Sequence, residues 1–241
     1  MTVMDGRNLL DIAVIAVLGL IFGSFFNCTA MRIARHEDFV RGRSHCRCCG
    51  HLLGARDLIP LASWLSAKGR CRYCGMRLSV RYPLTELLAA AAAAGIYLRF
   101  GISAEAVRDW VLAGCLITLS LVDLESLRIP DGCLFIGFAA WLIAVPFLWK
   151  GWQALLSELL AGALCGGLML CLSLVLDRLL KKESLGGGDI KLFALLGLYL
   201  GPWGAYFLIF FSSVTGLILA GLTRFAVRDK SRDDMPEGAI P

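Results

Sequence analysis

Trp110-Val111-Leu112-Ala113-Gly114-Cys115-Leu116-Ile117-Thr118-Leu119-Ser120-Leu121-Val122-Asp123 is a run of 13 uncharged residues that ends on a carboxylate. A helix that crosses hydrocarbon needs about 20 residues. A helix spanning here therefore extends past Asp123 and draws that side chain below the membrane surface. The same holds for Asp189, which follows Gly186-Gly187-Gly188 and shortly precedes an uncharged run of only nine residues, 192–200. A carboxylate at such depth costs on the order of 2.5–3.5 kcal/mol even on lenient insertion scales. Two such groups mark a site.

The rest of the chain fits that setting. Of its 241 residues 58% are hydrophobic and 18% charged, and its mean hydropathy is +0.71. This is the profile of an all-α polytopic membrane protein. Apolar runs fall at residues 12–31, 84–100, 110–122, 132–149, 159–176, 192–200 and 205–222, so about seven transmembrane helices are expected. No small-residue cleavage motif follows the first run, which reads as a retained helix. If all seven runs span, the connections at 32–83, 123–131, 177–191 and after 223 share one side. They hold 20 of the 24 Lys and Arg, the other side having only Arg7, Arg99, Arg108 and Lys150. By the positive-inside rule the basic side is cytoplasmic, together with both aspartates. Topology accounts for the basic excess, so the partner it implies is the lipid bilayer and not nucleic acid. The expected organisation is a first transmembrane helix at 1–31, a cytoplasmic metal-binding domain at 32–83, a helical bundle at 84–225 and a cytoplasmic tail at 226–241.

The first connection carries 11 Lys or Arg and five of the ten cysteines. Cys46-Arg47-Cys48-Cys49 and Cys71-Arg72-Tyr73-Cys74 each contain C-x2-C followed by glycine, Gly50 or Gly75. Four thiolates on two tight turns suit one tetrahedral Zn²⁺, and glycine after the second cysteine permits the turn. Two disulfides are disfavoured in a reducing cytosol, and four idle thiols by the paired spacing. Cys46, Cys49, Cys71 and Cys74 are the expected ligands, with Cys48 an alternative to Cys49. His45 and His51 read as solvated. A four-cysteine site has no open position for catalysis, so the zinc is structural. Between the knuckles, residues 57–65 (Asp-Leu-Ile-Pro-Leu-Ala-Ser-Trp-Leu) are too apolar for an idle loop. Cys28, Cys115, Cys133, Cys165 and Cys171 lie in or beside apolar runs and need no special role.

Around Asp123, Glu125 points away on a helix, two positions being about 200°. Asp131, beyond Pro130, suits the N-cap of the next helix. The better partner is Asp189, arriving from another helix, where Gly186 and Gly188 permit close approach and Lys191 can tune a nearby carboxylate. The plainer reading of that segment is a flexible helix entry with Asp189 as N-cap. Two close carboxylates in low dielectric share a proton: the ionised one activates water and the protonated one polarises a carbonyl. Serine and cysteine protease templates fit poorly, because all three histidines fall within residues 36–51. Glu86, at the start of the second run, either serves the helix dipole or lines the site; Glu158 reads as interfacial. A proton-coupled transporter is the alternative use of the aspartate pair, though the aspartates sit near one face and no repeat is apparent. A zinc-bearing adaptor would not need them.

These residues together resemble the bifunctional type IV prepilin peptidases, in order along nearly the whole chain. The resemblance runs through Gly23-Ser24-Phe25-Phe26-Asn27 with Arg32, then Ser44-His45-Cys46 to Cys49, Asp57-Leu58-Ile59-Pro60-Leu61-Ala62-Ser63-Trp64 and Gly69-Arg70-Cys71 to Cys74. It continues through Arg81-Tyr82-Pro83-Leu84-Thr85-Glu86-Leu87, Asp123 with Ile129-Pro130-Asp131, and Gly186-Gly187-Gly188-Asp189-Ile190-Lys191. It implies a GxGD-type intramembrane aspartyl protease of the bacterial inner membrane. Such an enzyme cleaves the basic leader of type IV prepilins or pseudopilins on the cytoplasmic side, between Gly and a Phe-like residue. It also implies methylation of the new N-terminus with S-adenosylmethionine, for which no glycine-rich binding loop is recognisable. The family's catalytic aspartates correspond to Asp123 and Asp189, and its cysteine quartet to Cys46, Cys49, Cys71 and Cys74. Arg47 stands where the family usually has proline. Family members commonly continue from an Ile-Pro such as Ile240-Pro241 into one more apolar span, an eighth helix.

Overall fold

The computed structural model describes residues 9–37, 42, 44–181 and 185–233. Residues 1–8 of the expected first segment and the Ile240-Pro241 end lie outside them. The elements are α1 (Leu9–Ala34), a 3-10 turn (Ala55–Asp57), α2 (Ala62–Ser66), α3 (Arg81–Phe100), α4 (Ala104–Ser126), α5 (Asp131–Ala144), α6 (Trp152–Leu180) and α7 (Gly187–Asp233). Among the described residues, β pairing is confined to two isolated bridges. This is an all-α membrane protein with a small cysteine-bearing unit in its first connection. Leu9–Ala34, Trp152–Leu180 and Gly187–Leu219 are long and apolar enough to cross a membrane, whereas α5 has only 14 residues. Large apolar side chains such as Phe135, Phe147, Leu164 and Trp203 are largely exposed, which suits lipid and not water.

The local starts and stops have plain causes. Ser103 caps α4 by accepting the Ala106 N–H at 3.1 Å. The helix continues one turn beyond Asp123 and closes on Leu127 in the left-handed region. Pro83 sits in the first turn of α3, where its missing N–H costs nothing. The sixth and seventh apolar runs meet with no intervening loop. Gly201 adopts φ +64° and Pro202 supplies no N–H, so α7 is interrupted there.

The chain forms two compact units: Met1–Gly151 with Gly186–Leu192, and Trp152–Leu185 with Phe193–Pro241. In the first, α1 packs on α3 and α4, and α4 packs on α3 and α5. The α1–α3 seam is a small-residue contact, Gly19 and Gly23 lying against Ala89, Ala90 and Ala93. A Cβ at Gly19 would stand 2.6 Å from the Ala90 Cα, so backbones meet directly and dispersion replaces side-chain packing. Phe22, Phe26 and Trp110 form an aromatic cluster with centroids about 6 Å apart. In the second unit, Ala161 and Cys165 of α6 pack with Ala205, flanked by Phe193 and Ile209.

Candidate active site and cysteine centre

The two cysteine turns are built alike. In the first, the Gly50 N–H donates to the Cys46 carbonyl at 2.9 Å and the Cys46 N–H to His51 at 2.8 Å. In the second, Gly75 donates to Cys71 at 2.9 Å and Cys71 to Met76 at 2.8 Å. Gly50 and Gly75 hold φ of +70° and +73°, the left-handed turn that glycine allows. The result is a cluster of Cys46, Cys49, Cys71 and Cys74 with one sulfur from each, all within 4.8 Å of one another. Cys48 is exposed and outside it, so the choice that spacing left open falls to Cys49. The Cys46 and Cys74 sulfurs are 3.8 Å apart. That equals the edge of a tetrahedron with metal–sulfur bonds of about 2.3 Å. Backbone N–H groups of Cys49 and Cys48 bring the Cys46 thiol down to about 6. At Cys74 the Met76 N–H pulls downward, but burial and the neighbouring thiols prevail and push it to about 12. Neighbouring thiolates repel, so such a cage ionises in steps unless a dication neutralises it.

Asp57 ties the loop together. Its carboxylate accepts from the Tyr73 hydroxyl at 3.0 Å and the Gly54 N–H at 3.1 Å, and pairs with Arg72 at 3.6 Å. The Tyr73 bond chiefly, against some desolvation, keeps Asp57 below the ordinary carboxylate range. His51 lies over the Tyr73 ring, centroids 3.5 Å apart, and stays exposed, in keeping with a solvated loop residue.

The loop docks on α1 and α3 through Glu86, whose residue is only 6% exposed. Its Oε2 accepts the Leu61 N–H at 2.7 Å, and the Ser24 hydroxyl donates to the same carboxylate. Leu61 stands at φ +58°, a region a branched side chain avoids, so this bond holds a strained turn at the start of α2. One turn along α1, buried Asn27 donates to Thr85 at 3.4 Å. A cavity of about 380 Å³ lies here, lined by the loop together with Ser24, Cys28, Arg32, Tyr82 and Glu86. Glu86 thus belongs to the loop cavity; Asp123 and Asp189 are not among its lining residues.

The aspartates come from two helix ends. Asp123 is exposed near the end of α4, where its carbonyl accepts the Leu127 N–H at 2.8 Å. Asp189 is the third residue of α7, half-buried, its N–H donating to the Gly186 carbonyl at 3.0 Å. It is therefore not the N-cap. A Cβ at Gly188 would stand 2.7 Å from that of Ile129, so the bare glycine lets α7 begin against the segment leading out of α4. The two carboxylates lie near enough to interact electrostatically. Pro130 takes the N-cap position, so Asp131 is the first residue of α5, where it takes the Lys191 ammonium at 2.7 Å. Glu125 pairs with Arg81 across 44 positions. Neither pairing is visible in sequence, since both partners are remote.

Residues 17–100 match the bacterial peptidase A24 N-terminal domain, and residues 110–221 match the type IV leader peptidase family. This chain belongs to that family. The first match covers α1 from residue 17 onward, the cysteine loop and α3; the second contains both aspartates. Several relatives align with most of this chain. A Myxococcus xanthus (strain DK1622) protein is 36% identical over 233 residues, 93% of this chain and 68% of its own. One from Bacillus subtilis (strain 168) is 33% identical over 227 residues, 93% and 88% respectively. Both are described as prepilin leader peptidase/N-methyltransferase. An Escherichia coli O78:H11 protein, 35% identical over 230 residues (86% and 83%), is described as a type 4 prepilin-like proteins leader peptide-processing enzyme. No solved structure matches the chain.

Proposed function

We propose that this protein is a membrane aspartyl endopeptidase that removes the leader of type IV prepilins or pseudopilins and methylates the N-terminus so exposed. Asp123 and Asp189 are the reading's catalytic pair. The observation that carries it is the approach of the end of α4 and the start of α7 at Ile129 and Gly188, which brings two carboxylates from remote positions into electrostatic range. The ionised carboxylate takes a proton from water as that water attacks the scissile carbonyl. The protonated one holds the carbonyl oxygen and then gives its proton to the leaving amine. The Lys191–Asp131 pair sits beside them as a positioning element that keeps α7 against α5.

The cysteine quartet holds one structural Zn²⁺; its sulfur spacing and thiol chemistry fit that ion. When bound, S-adenosylmethionine would supply an electrophilic methyl group for an amine nitrogen. The chain's part is to bind the cofactor and exclude water. Residue domains at 32–83 and 84–225 divide this labour, loop for methylation and helices for cleavage.

The enzyme sits in a bacterial inner membrane with the loop facing the cytoplasm, as the 20-to-4 division of Lys and Arg supports. An impermeant thiol reagent on intact cells should miss a cysteine placed at Ser66; labelling there reverses the orientation. No family or relative named above is a transporter. Incubation with a pilin-like peptide decides between cleavage and any non-proteolytic role.

A further inference from the structure

Each aspartate of the pair is followed two positions later by a charge on its own helix, Glu125 after Asp123 and Lys191 after Asp189. Two positions are about 200° on a helix, so each charge lies on nearly the opposite face from its aspartate. Both are tied to another helix. Lys191 meets Asp131 of α5, and Glu125 meets the Arg81 guanidinium of α3, 44 positions away in sequence. Arg81 and Glu125 each stand at the unfavoured end of their own helix. Arg81 is the first residue of α3, and Glu125 is next to last in α4. The helix dipole disfavours a cation at a helix start and an anion at a helix end. Neither residue serves its own helix there; each serves the other. Their side chains are 53% and 32% exposed, and pairs so placed add little stability. What such a pair can set is orientation. Val122, 2% exposed, marks the buried face at the end of α4. Glu125 lies about 60° from it on one side and Asp123 about 100° on the other. Drawing Glu125 onto α3 therefore turns Asp123 outward, where it is exposed. Helix ends fray, and the bonds within this one, Leu127 N–H to the Asp123 carbonyl and Ser126 hydroxyl to the Val122 carbonyl, close the turn without tying it to a neighbour.

We propose that Arg81 and Glu125 are positioning residues for leader cleavage: their ion pair sets the rotation of the last turn of α4, and with it the direction in which Asp123 faces Asp189. Neither side chain touches the reacting atoms in this role; both act through Asp123. The proposal rests on the catalytic role given above to the two aspartates. It also accounts for a cation in the first turn of α3, where no acidic residue stands.

The test uses full-length, metal-loaded protein in detergent and a pilin-like peptide, with kcat, KM and the thermal midpoint measured in parallel. Glu125→Gln and Arg81→Gln should each lower kcat about two- to fivefold, the most by which an exposed pair biases a placement. KM and the thermal midpoint should stay close to wild type. Arg81→Glu sets two carboxylates against each other and should lower kcat further. The exchanged pair, Arg81→Glu with Glu125→Arg, should recover most of the loss, because the attraction is restored and only its direction is reversed. Its stability should not fall, since each charge then stands at the helix end whose dipole favours it. Wild-type kcat in all three single variants, an exchanged pair no better than Arg81→Glu, or a loss of kcat that merely follows a fall in the thermal midpoint overturns the proposal. Asp123→Asn, assayed beside them, separates the two readings. Full cleavage by Asp123→Asn overturns the catalytic pair and this proposal with it. An inactive Asp123→Asn beside Arg81 and Glu125 variants that cleave like wild type overturns the positioning role alone.

Discussion

The cysteine loop and the aspartate pair are assembled by opposite means. Each cysteine turn closes on itself within six residues through two backbone hydrogen bonds, and the same turn occurs twice. Only the meeting of the two turns is long-range, and Asp57 with Tyr73 and Arg72 secures it locally. The aspartates sit 66 positions apart, as the numbers 123 and 189 give, and no local motif joins them. Their approach depends on one bare glycine against one isoleucine. A centre made of local turns tolerates small displacements, because the turns carry their own geometry. One made at a helix contact does not, since about 1 Å of misplacement at reacting groups can cost on the order of 100-fold in rate.

Breaking the pair itself gives the largest effect. Asp123→Asn and Asp189→Asn should each lower leader cleavage by at least about 10²–10⁴-fold, the usual worth of a positioned acid or base, with the protein still inserted and folded. Full cleavage by either single variant removes the assignment. Next in size is Gly188→Val, which places branched carbons where Ile129 already stands. Cleavage of a pilin-like peptide should fall about 10- to 100-fold, and adding Ile129→Ala should restore part of it. No loss, or no rescue, shows that the glycine contact does not position Asp189. For the other region, Cys71→Ser with Cys74→Ser should abolish metal binding by mass spectrometry and reduce methyl transfer much more than proteolysis. The reverse pattern means the labour is divided the other way. The smallest effect belongs to Lys191→Met. The Lys191 and Asp131 side chains are 59% and 73% exposed, and exposed pairs contribute about 0–1 kcal/mol, so thermal stability should barely change. A large loss of cleavage without a loss of stability would show that the pair acts on the aspartates.

Much of this was legible in the amino-acid order because it is local. The apolar runs foretold the helices, and α4 does run past Asp123, as a 13-residue run could not span alone. Twin C-x2-C-G spacing foretold the turns, which depend on neighbours in sequence. What spacing could not decide was Cys48 against Cys49, since each leaves a plausible turn and only the sulfur positions separate them. Partner choice over distance was equally hidden. Asp131 has the look of a helix cap, yet it meets Lys191 from 60 positions away. Glu86 has the look of a dipole-favoured first-turn residue, yet its carboxylate holds Leu61 across 25. Nothing in the order of residues marks the Trp64 indole as lacking a hydrogen-bond partner among the described residues; only packing reveals it.

The Gly19–Ala90 contact has a consequence for the metal. Because α1 and α3 touch backbone to backbone, both ends of the cysteine loop would already be gathered before any ion bound there. In a free-standing zinc module the chain must surrender closure entropy as the ligands converge. Here the helical hairpin would absorb part of that cost, and the four sulfurs would then act as a preorganised chelator. Affinity should therefore be set by thiol chemistry more than by the length of the loop.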